Sequence, residues 1–363
     1  MKTKTPSDLD PAFAAVYHQC AMFAERQYHA IILKSPDAIR WKVYVERKTQ
    51  EIQRREDQIK RTSIESERSA LKEDQKKAEK LLTEDRELFR KHNSARETFL
   101  EQAIDMYSRC LEISDSFDTD GAIRLCSLWF ANFDEMGLQD KVRIALDRVP
   151  SRKLVLLAHQ LSARLSKSPT TPAPMNQENL QRLVIRMCEE HPFHSLSQVY
   201  CLRPDRSMAT PARRHSDRQS PSSTQTEREA AAGDIFDRLR GDATNGERVR
   251  AMEQLCDACL QWAKFAIKAN PRFNNKQKTP FKVPDGLLIG KISNLRVPVL
   301  TFHTPLDPTL RYDDCAWLDR YETTFETAGG MNLPKISICH STDGQKHKQL
   351  VSLPCNHFVA DSL

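Results

Sequence analysis

From Phe325 to Val351 the chain reads FETAGGMNLPKISICHSTDGQKHKQLV, and its residue types could do chemistry on a phosphate. Gly329 and Gly330 precede a short alternating run, Pro334 to Cys339, and an Asp-Gly pair (Asp343, Gly344) leads into a second run ending at Gln349, Leu350 and Val351. Asp-Gly between alternating segments predicts a hairpin with a type I′ turn, whose two central residues both need positive φ. A glycine-bearing loop feeding a hairpin can bring backbone N–H groups close to phosphate oxygens. Alone, the triplet Ala328-Gly329-Gly330 is neither a Walker loop nor a dinucleotide fingerprint, and a surface loop that needs glycine for its turn is the ordinary reading.

Other constellations have plainer readings. Cys256 and Cys259 have the CxxC spacing of zinc or redox sites, but they lie on an apolar helical stripe with no second pair at finger spacing. His191 and His194 could ligate a metal, yet Pro192 between them marks a helix junction. No Ser-His-Asp set is assignable.

The elements that must position these residues are mostly helices. Gly121 and Gly137 are the only glycines before residue 233, and few breakers over so long a span argue for helix. Phe13, Val16, Tyr17, Cys20, Phe23, Ala24 and Tyr28 share one helical face, as do Leu100, Ala103, Ile104, Tyr107 and Leu111, with a dense run from Ile123 to Phe133 behind them. Leu154 to Leu165 and Leu180 to Cys188 read as two further helices. The last stripe is Val249, Met252, Cys256, Cys259, Leu260, Ala263 and Ile267. No fixed-period repeat is legible, but helices joined by short connections, together with the family resemblance given below, predict a mainly α, antiparallel solenoid of the TPR or HEAT kind over residues 1–270.

Residues 46–97 are rich in charges of both signs and predict long solvated helices with i,i+4 pairs such as Glu73 with Lys77. A nucleic-acid-binding coiled coil is the alternative there, and a steep salt dependence of DNA binding would support it. Residues 203–233, rich in Ser, Thr, Pro and Arg, predict a disordered insert, and a shorter Pro-rich loop spans Ser166 to Met175. Residues 271–284 read as a linker, after which Val297 to Thr301 and Ile336 to Cys339 have strand composition.

Bulk properties set outer bounds. A chain of 363 residues holds two or three domains, and 29% charged residues with negative mean hydropathy exclude a membrane-spanning core. The N-terminus has no apolar leader segment. Ten cysteines, mostly within apolar runs, suit reduced thiols of a nuclear or cytosolic protein. A net charge of +6 permits loose attraction to nucleic acid without demanding it.

AGGMNLPKI followed by STDGQKHKQLV resembles the start of the kinase domain in phosphatidylinositol-3-kinase-related protein kinases, and within them the ataxia-telangiectasia-mutated (ATM) type with its fungal telomere-maintenance counterpart. Upstream, SALKEDQKKAEK, GAIRLCSLWFANF, EEHPFHSL and AMEQLCDACLQWAKF resemble the helical FAT region of that family, so the likeness covers about residues 13–351.

The resemblance implies a FAT solenoid followed by a partial kinase N-lobe over residues 285–351. It implies ATP-dependent phosphorylation of Ser/Thr-Gln sites by the parent, with Mg²⁺, in DNA-damage and telomere signalling. It further implies a nucleus-located homodimer, or pairing with full-length kinase, held through the FAT helices. Thr327, Ala328, Gly329, Gly330, Met331, Asn332 and Leu333 would form the loop over the phosphates, with Pro334 and Leu350 at the adenine end.

In the family the run matching KQLV continues into a lysine that holds the α- and β-phosphates, whereas this chain has Ser352 and then a divergent tail over residues 352–363. Serine carries no positive charge and cannot do that work. The family's catalytic loop and metal-binding Asp have no counterpart in the sequence. The expectation is a clipped gene product without catalysis of its own, the alternative a helical scaffold derived from such a kinase. The Ser/Thr-Gln pairs at Thr49, Ser197 and Thr224 match the family's preference, and only Thr224 falls in a segment expected to be accessible.

Overall fold

The computed structural model describes residues 12–34, 38–167, 173–203, 223–267, 280–300, 304–328 and 333–352. The chain divides into two compact units, residues 1–150 and 151–363, each of which carries its own core. The class is the one expected: mainly α, with a small antiparallel sheet at the end.

The first unit holds α1 (Ala12–Lys34), α2 (Ala38–Arg61), α3 (Glu65–Ile113), α4 (Asp118–Ala131) and α5 (Gln139–Arg148). The stripe expected on α3 is the core: Leu100, Ala103, Ile104, Tyr107 and Leu111 are all buried. Against it packs α1, through a face that shares only Ala24 and Tyr28 with the stripe expected. Phe13, Val16, Cys20 and Phe23 are exposed, and the buried side runs Ala14, His18, Ala21, Ala24 and Tyr28. The reason is that small alanines let the backbones approach, while the polar residues between them find partners.

Those partners form a network across three helices. His18 Nε2 lies 2.8 Å from Asp120, Tyr107 Oη donates to Glu25 at 2.6 Å, and Arg124 reaches both carboxylates. Desolvation and the Glu25 carboxylate raise the Tyr107 phenol far above its ordinary range. Hydropathy cannot see such a face, because the protein partners of its polar groups come from distant helices and meet them only in the folded chain.

Further out, α2 and the first half of α3 form the long charged pair expected. Trp41 stacks on Phe89 with centroids 4.8 Å apart, Tyr44 Oη donates to Asp85, and Ile59 and Leu82 are buried between them. The Glu73–Lys77 pair closes at 3.1 Å with both side chains mostly exposed. At such exposure a pair contributes a few tenths of a kcal/mol at most.

The second unit starts with helical turns rather than the single helix expected over Leu154 to Leu165. Leu154 N–H donates to the Ser151 carbonyl and Leu157 N–H to the Leu154 carbonyl, both i→i−3, and α6 is only Ala158–Ser162. Leu154, Leu161 and Leu165 are nonetheless buried. Then come α7 (Met175–Glu190), α8 (Pro192–Tyr200), α9 (Ser223–Arg240) and α10 (Gly246–Lys264).

Ser223–Arg240 corrects part of the expected disordered insert. Residues 223–233 are helical, with Ala231 and Ala232 fully buried, and Ser166 Oγ and Lys167 N–H both donate to Glu227. The run EREAAA is made of helix formers with small residues to pack, and averaging it with the Ser/Pro-rich stretch before it hid that. Residues 204–222 lie outside the described residues, as do 168–172 of the Pro-rich loop and 268–279 of the linker.

Five short strands follow: β1 (Phe281–Lys282), β2 (Ser293–Pro298), β3 (Trp317–Thr327), β4 (Lys335–Ser341) and β5 (Lys346–Val351). All pairings are antiparallel, in the order β1-β3-β4-β5 with β2 also on β3. β2 begins four residues before the strand expected at Val297 to Thr301, and Val297 is buried within it.

The β4–β5 hairpin is present, but its turn is not the type I′ expected. Gly344 N–H donates to the Ser341 carbonyl at 2.9 Å, which makes Thr342 and Asp343 the central pair, and only Gly344 has positive φ, at 83°. Asp343 instead binds the turn with its carboxylate, accepting from Gln345 N–H at 3.1 Å.

Candidate functional site

β3 and β4 form a ladder that ends at Thr327 opposite Lys335. One step further, Ala328 N–H donates to the Pro334 carbonyl at 2.8 Å and closes the neck of the loop. Leu333 is held at φ 43°, an uncommon conformation for a branched side chain, so the chain turns sharply into β4. Of the loop residues singled out in the sequence, Thr327, Ala328, Leu333 and Pro334 stand together at this neck. Gly329, Gly330, Met331 and Asn332 lie outside the described residues.

The sheet has two chemically different faces, set by the two-residue alternation of β4. Lys335, Ser337, Cys339 and Ser341 are buried, and Ile336, Ile338 and His340 alternate with them, half-buried. On β5, Gln349 sits opposite Ser337 on the buried side, and Leu350 sits opposite Ile336 on the other.

The buried face packs on α10, whose Trp262 is fully buried. Trp262 Nε1–H donates to Ser337 Oγ at 2.9 Å, and its ring meets Phe325 edge-on with centroids 4.7 Å apart. Tyr321 Oη donates to Gln349 at 2.8 Å.

The opposite face has an apolar middle, Ile336, Ile338 and Leu350, and a charged rim. Leu350 is 64% exposed. At the rim Glu322 accepts from His340 at 3.1 Å and Lys346 at 3.2 Å, and these donors hold its carboxyl below the usual range. An apolar patch beside a tight backbone loop is what a flat, partly polar ligand needs from one wall of a cleft.

The remaining candidates take structural positions. His191 caps the end of α7 and the start of α8, so the junction read from Pro192 is there. Its Nδ1 lies 2.6 Å from Tyr312 Oη, and His194 Nε2 lies 2.8 Å from the Thr304 carbonyl. Cys256 is buried on α10 and Cys259 half-buried; desolvation pushes the Cys259 thiol up to about 11 and raises Cys256 as well. Thr49 and Thr224 are exposed on α2 and α9, Ser197 half-buried on α8.

Sequence reasoning missed Lys335, Trp262 and Gln349. The signal was available in the alternation KISICHS, but strand composition alone does not say which side of β4 is buried.

No family model matches the chain. Curated relatives do. The serine/threonine-protein kinase TEL1 of Cryptococcus neoformans var. neoformans serotype D is 29% identical over 341 residues, 93% of this chain and 10% of that protein. The serine/threonine-protein kinase ATM of Arabidopsis thaliana is 28% identical over 278 residues, 75% of this chain and 7% of that protein. The chain thus spans about a tenth of the length of the curated relatives it matches.

Among solved structures, the FAT and kinase domain of CtTel1 superposes with a TM-score of 0.68 at 22% identity, covering 93% of this chain and 21% of that one. The complete CtTel1 dimer with C2 symmetry matches with a TM-score of 0.68 at 22% identity, covering 93% of this chain and 11% of that one. Helices first and a small antiparallel sheet last, with homologous sequence running through both, make this chain a relative of the Tel1/ATM serine/threonine kinases over 93% of its length.

Proposed function

We propose that the chain is a segment of an ATM-like serine/threonine protein kinase, with a FAT-type helical part over residues 1–270, a linker at 271–284 and the start of the kinase N-lobe at 285–351. In this reading the neck at Thr327, Ala328, Leu333 and Pro334, with the Gly329–Asn332 stretch it carries, lies over the phosphates of ATP. Pro334 and Leu350 cover the adenine. The observation that carries the reading is the 2.8 Å bond that closes the neck beside the exposed Leu350 and the half-buried Ile336 opposite it. The parent kinase would act with ATP and Mg²⁺ on Ser/Thr-Gln sites in DNA-damage and telomere signalling, in the nucleus.

This chain alone is expected not to catalyse the transfer, because Ser352 stands where the phosphate-holding lysine would be and offers no charge. Titration of the purified 363-residue protein with ATP and Mg²⁺ should give at best a dissociation constant in the millimolar range, about 4 kcal/mol of binding. Tight Mg²⁺-dependent binding would overturn it.

A helical scaffold is the second reading, favoured by the dimer among the similar structures. It expects the chain to pair with itself or with the full-length kinase through the FAT-type helices. Sedimentation velocity over a concentration series checks this, and a monomer at every concentration, also when mixed with the full-length kinase, removes it.

A further inference from the structure

Lys335 is 4% exposed, and among the described residues no carboxylate pairs with it. Its Nζ donates to the Ala263 carbonyl at 2.9 Å and sits 5.3 Å from the centre of the Trp262 ring. Ala263 is the penultimate residue of α10, and the Phe265 N–H beyond it is spent on the Gln261 and Trp262 carbonyls. The last carbonyls of a helix have no intrahelical donor and carry its negative end, so a cation is the natural cap. A buried lysine is otherwise costly, and burial does hold this ammonium below the usual lysine range.

What the lysine holds is the neck. It is the first residue of β4, opposite Thr327, and directly follows Pro334, whose carbonyl accepts from Ala328. We propose that Lys335 is a positioning residue, whose ammonium on the Ala263 carbonyl and the Trp262 ring fixes the neck of the β3–β4 hairpin to the end of α10. The helix end then sets where Ala328 and Pro334 stand. Trp262 supports the same joint one rung along, through its bond to Ser337. That the strut serves a nucleotide rests on the reading given under Proposed function; the strut itself does not.

Hydrogen–deuterium exchange on the full chain tests it. Lys335→Met keeps the length of the side chain and removes the donor and charge; Lys335→Arg restores both. The methionine variant should raise exchange in the peptide Phe325–Ile336 roughly tenfold and leave Lys346–Val351 within about twofold, with arginine recovering most of the protection. An equal rise in both peptides, or none, overturns the proposal.

Should the methionine variant fail to fold, acylation of the unmodified protein decides. Lys335 must then react roughly tenfold more slowly than the exposed Lys346 and Lys348, and equal rates overturn the strut. Neither measurement contains nucleotide. A failure to bind ATP would therefore touch the cleft reading and leave the strut standing, and loose exchange with ATP bound would do the reverse.

Discussion

His191 shows how a residue that looks like a ligand can instead be a stability device. It is fully buried at the α7–α8 junction against Tyr312, and Nε2 has no partner among the described residues. Burial pushes its pKa down to about 4, the neighbouring His194 and Arg152 push the same way, and Asp307 opposes. The folded state thus keeps the imidazole neutral where the unfolded chain, with an ordinary value near 6.5, would protonate it. Stability from this group is complete above pH 6.5 and is lost as pH falls toward 4, by about 3 kcal/mol in total. Urea unfolding at a series of pH values checks it. His191→Gln should lower stability at pH 7 yet flatten the slope between pH 6.5 and 4, and an unchanged slope would show that another group titrates there.

At the scale of elements, α9 and α10 put two glycines to opposite use. Gly246 opens α10, and a Cβ there would stand 2.7 Å from the Arg240 carbonyl oxygen at the end of α9. Backbone cannot yield as a flexible side chain can, so Gly246→Ala should cost about 1–3 kcal/mol as the two helix ends separate. Gly233 lies within α9 with nothing inside 4 Å of its Cβ position, and Gly233→Ala should stabilise by about 0.5–1 kcal/mol through helix entropy. Thermal unfolding of both variants measures the pair, and shifts of the same sign would refute it.

The elements also differ in what could be read beforehand. Where apolar spacing decides a face, as for Leu100 to Leu111 on α3, the sequence reading held. It failed where the buried face is polar or small. Ala14, His18 and Ala21 on α1 lost to Phe13, Val16 and Phe23 on any hydropathy scale, and nothing in the strand composition of Ile336 to Cys339 marked Lys335 and Ser337 as buried. In both cases burial follows from partners supplied by distant elements: Asp120 for His18 and α10 for Lys335. The hairpin was legible from Asp343-Gly344, but its turn type was not, because that depends on where the ladder closes. Thr327, Ala328, Leu333 and Pro334 do meet at one neck, as adjacency in sequence foretells for any short loop between paired strands.

For the whole molecule the open rivalry is between a protein-binding surface and a nucleic-acid-binding one, since the net charge of +6 attracts phosphate. The charge distribution favours the protein-binding surface. In α2 and α3 five lysines pair with neighbours: Lys48 with Glu51, Lys60 with Glu56, Lys77 with Glu73, Lys80 with Glu84 and Lys91 with Glu87. Each exposed pair is weak, but each also sets an anion beside a cation and interrupts a one-signed stripe that a phosphate backbone could follow. Without such a stripe few counterions are released on binding. The logarithm of any DNA affinity should then fall with the logarithm of salt concentration at a slope shallower than about −2, as expected for one or two phosphate contacts. Fluorescence anisotropy with a labelled duplex, from low to physiological salt, reads that slope directly. A value near −6 would mean that these lysines leave their glutamates for DNA, and the long α2–α3 pair would then have to be read as a nucleic-acid arm.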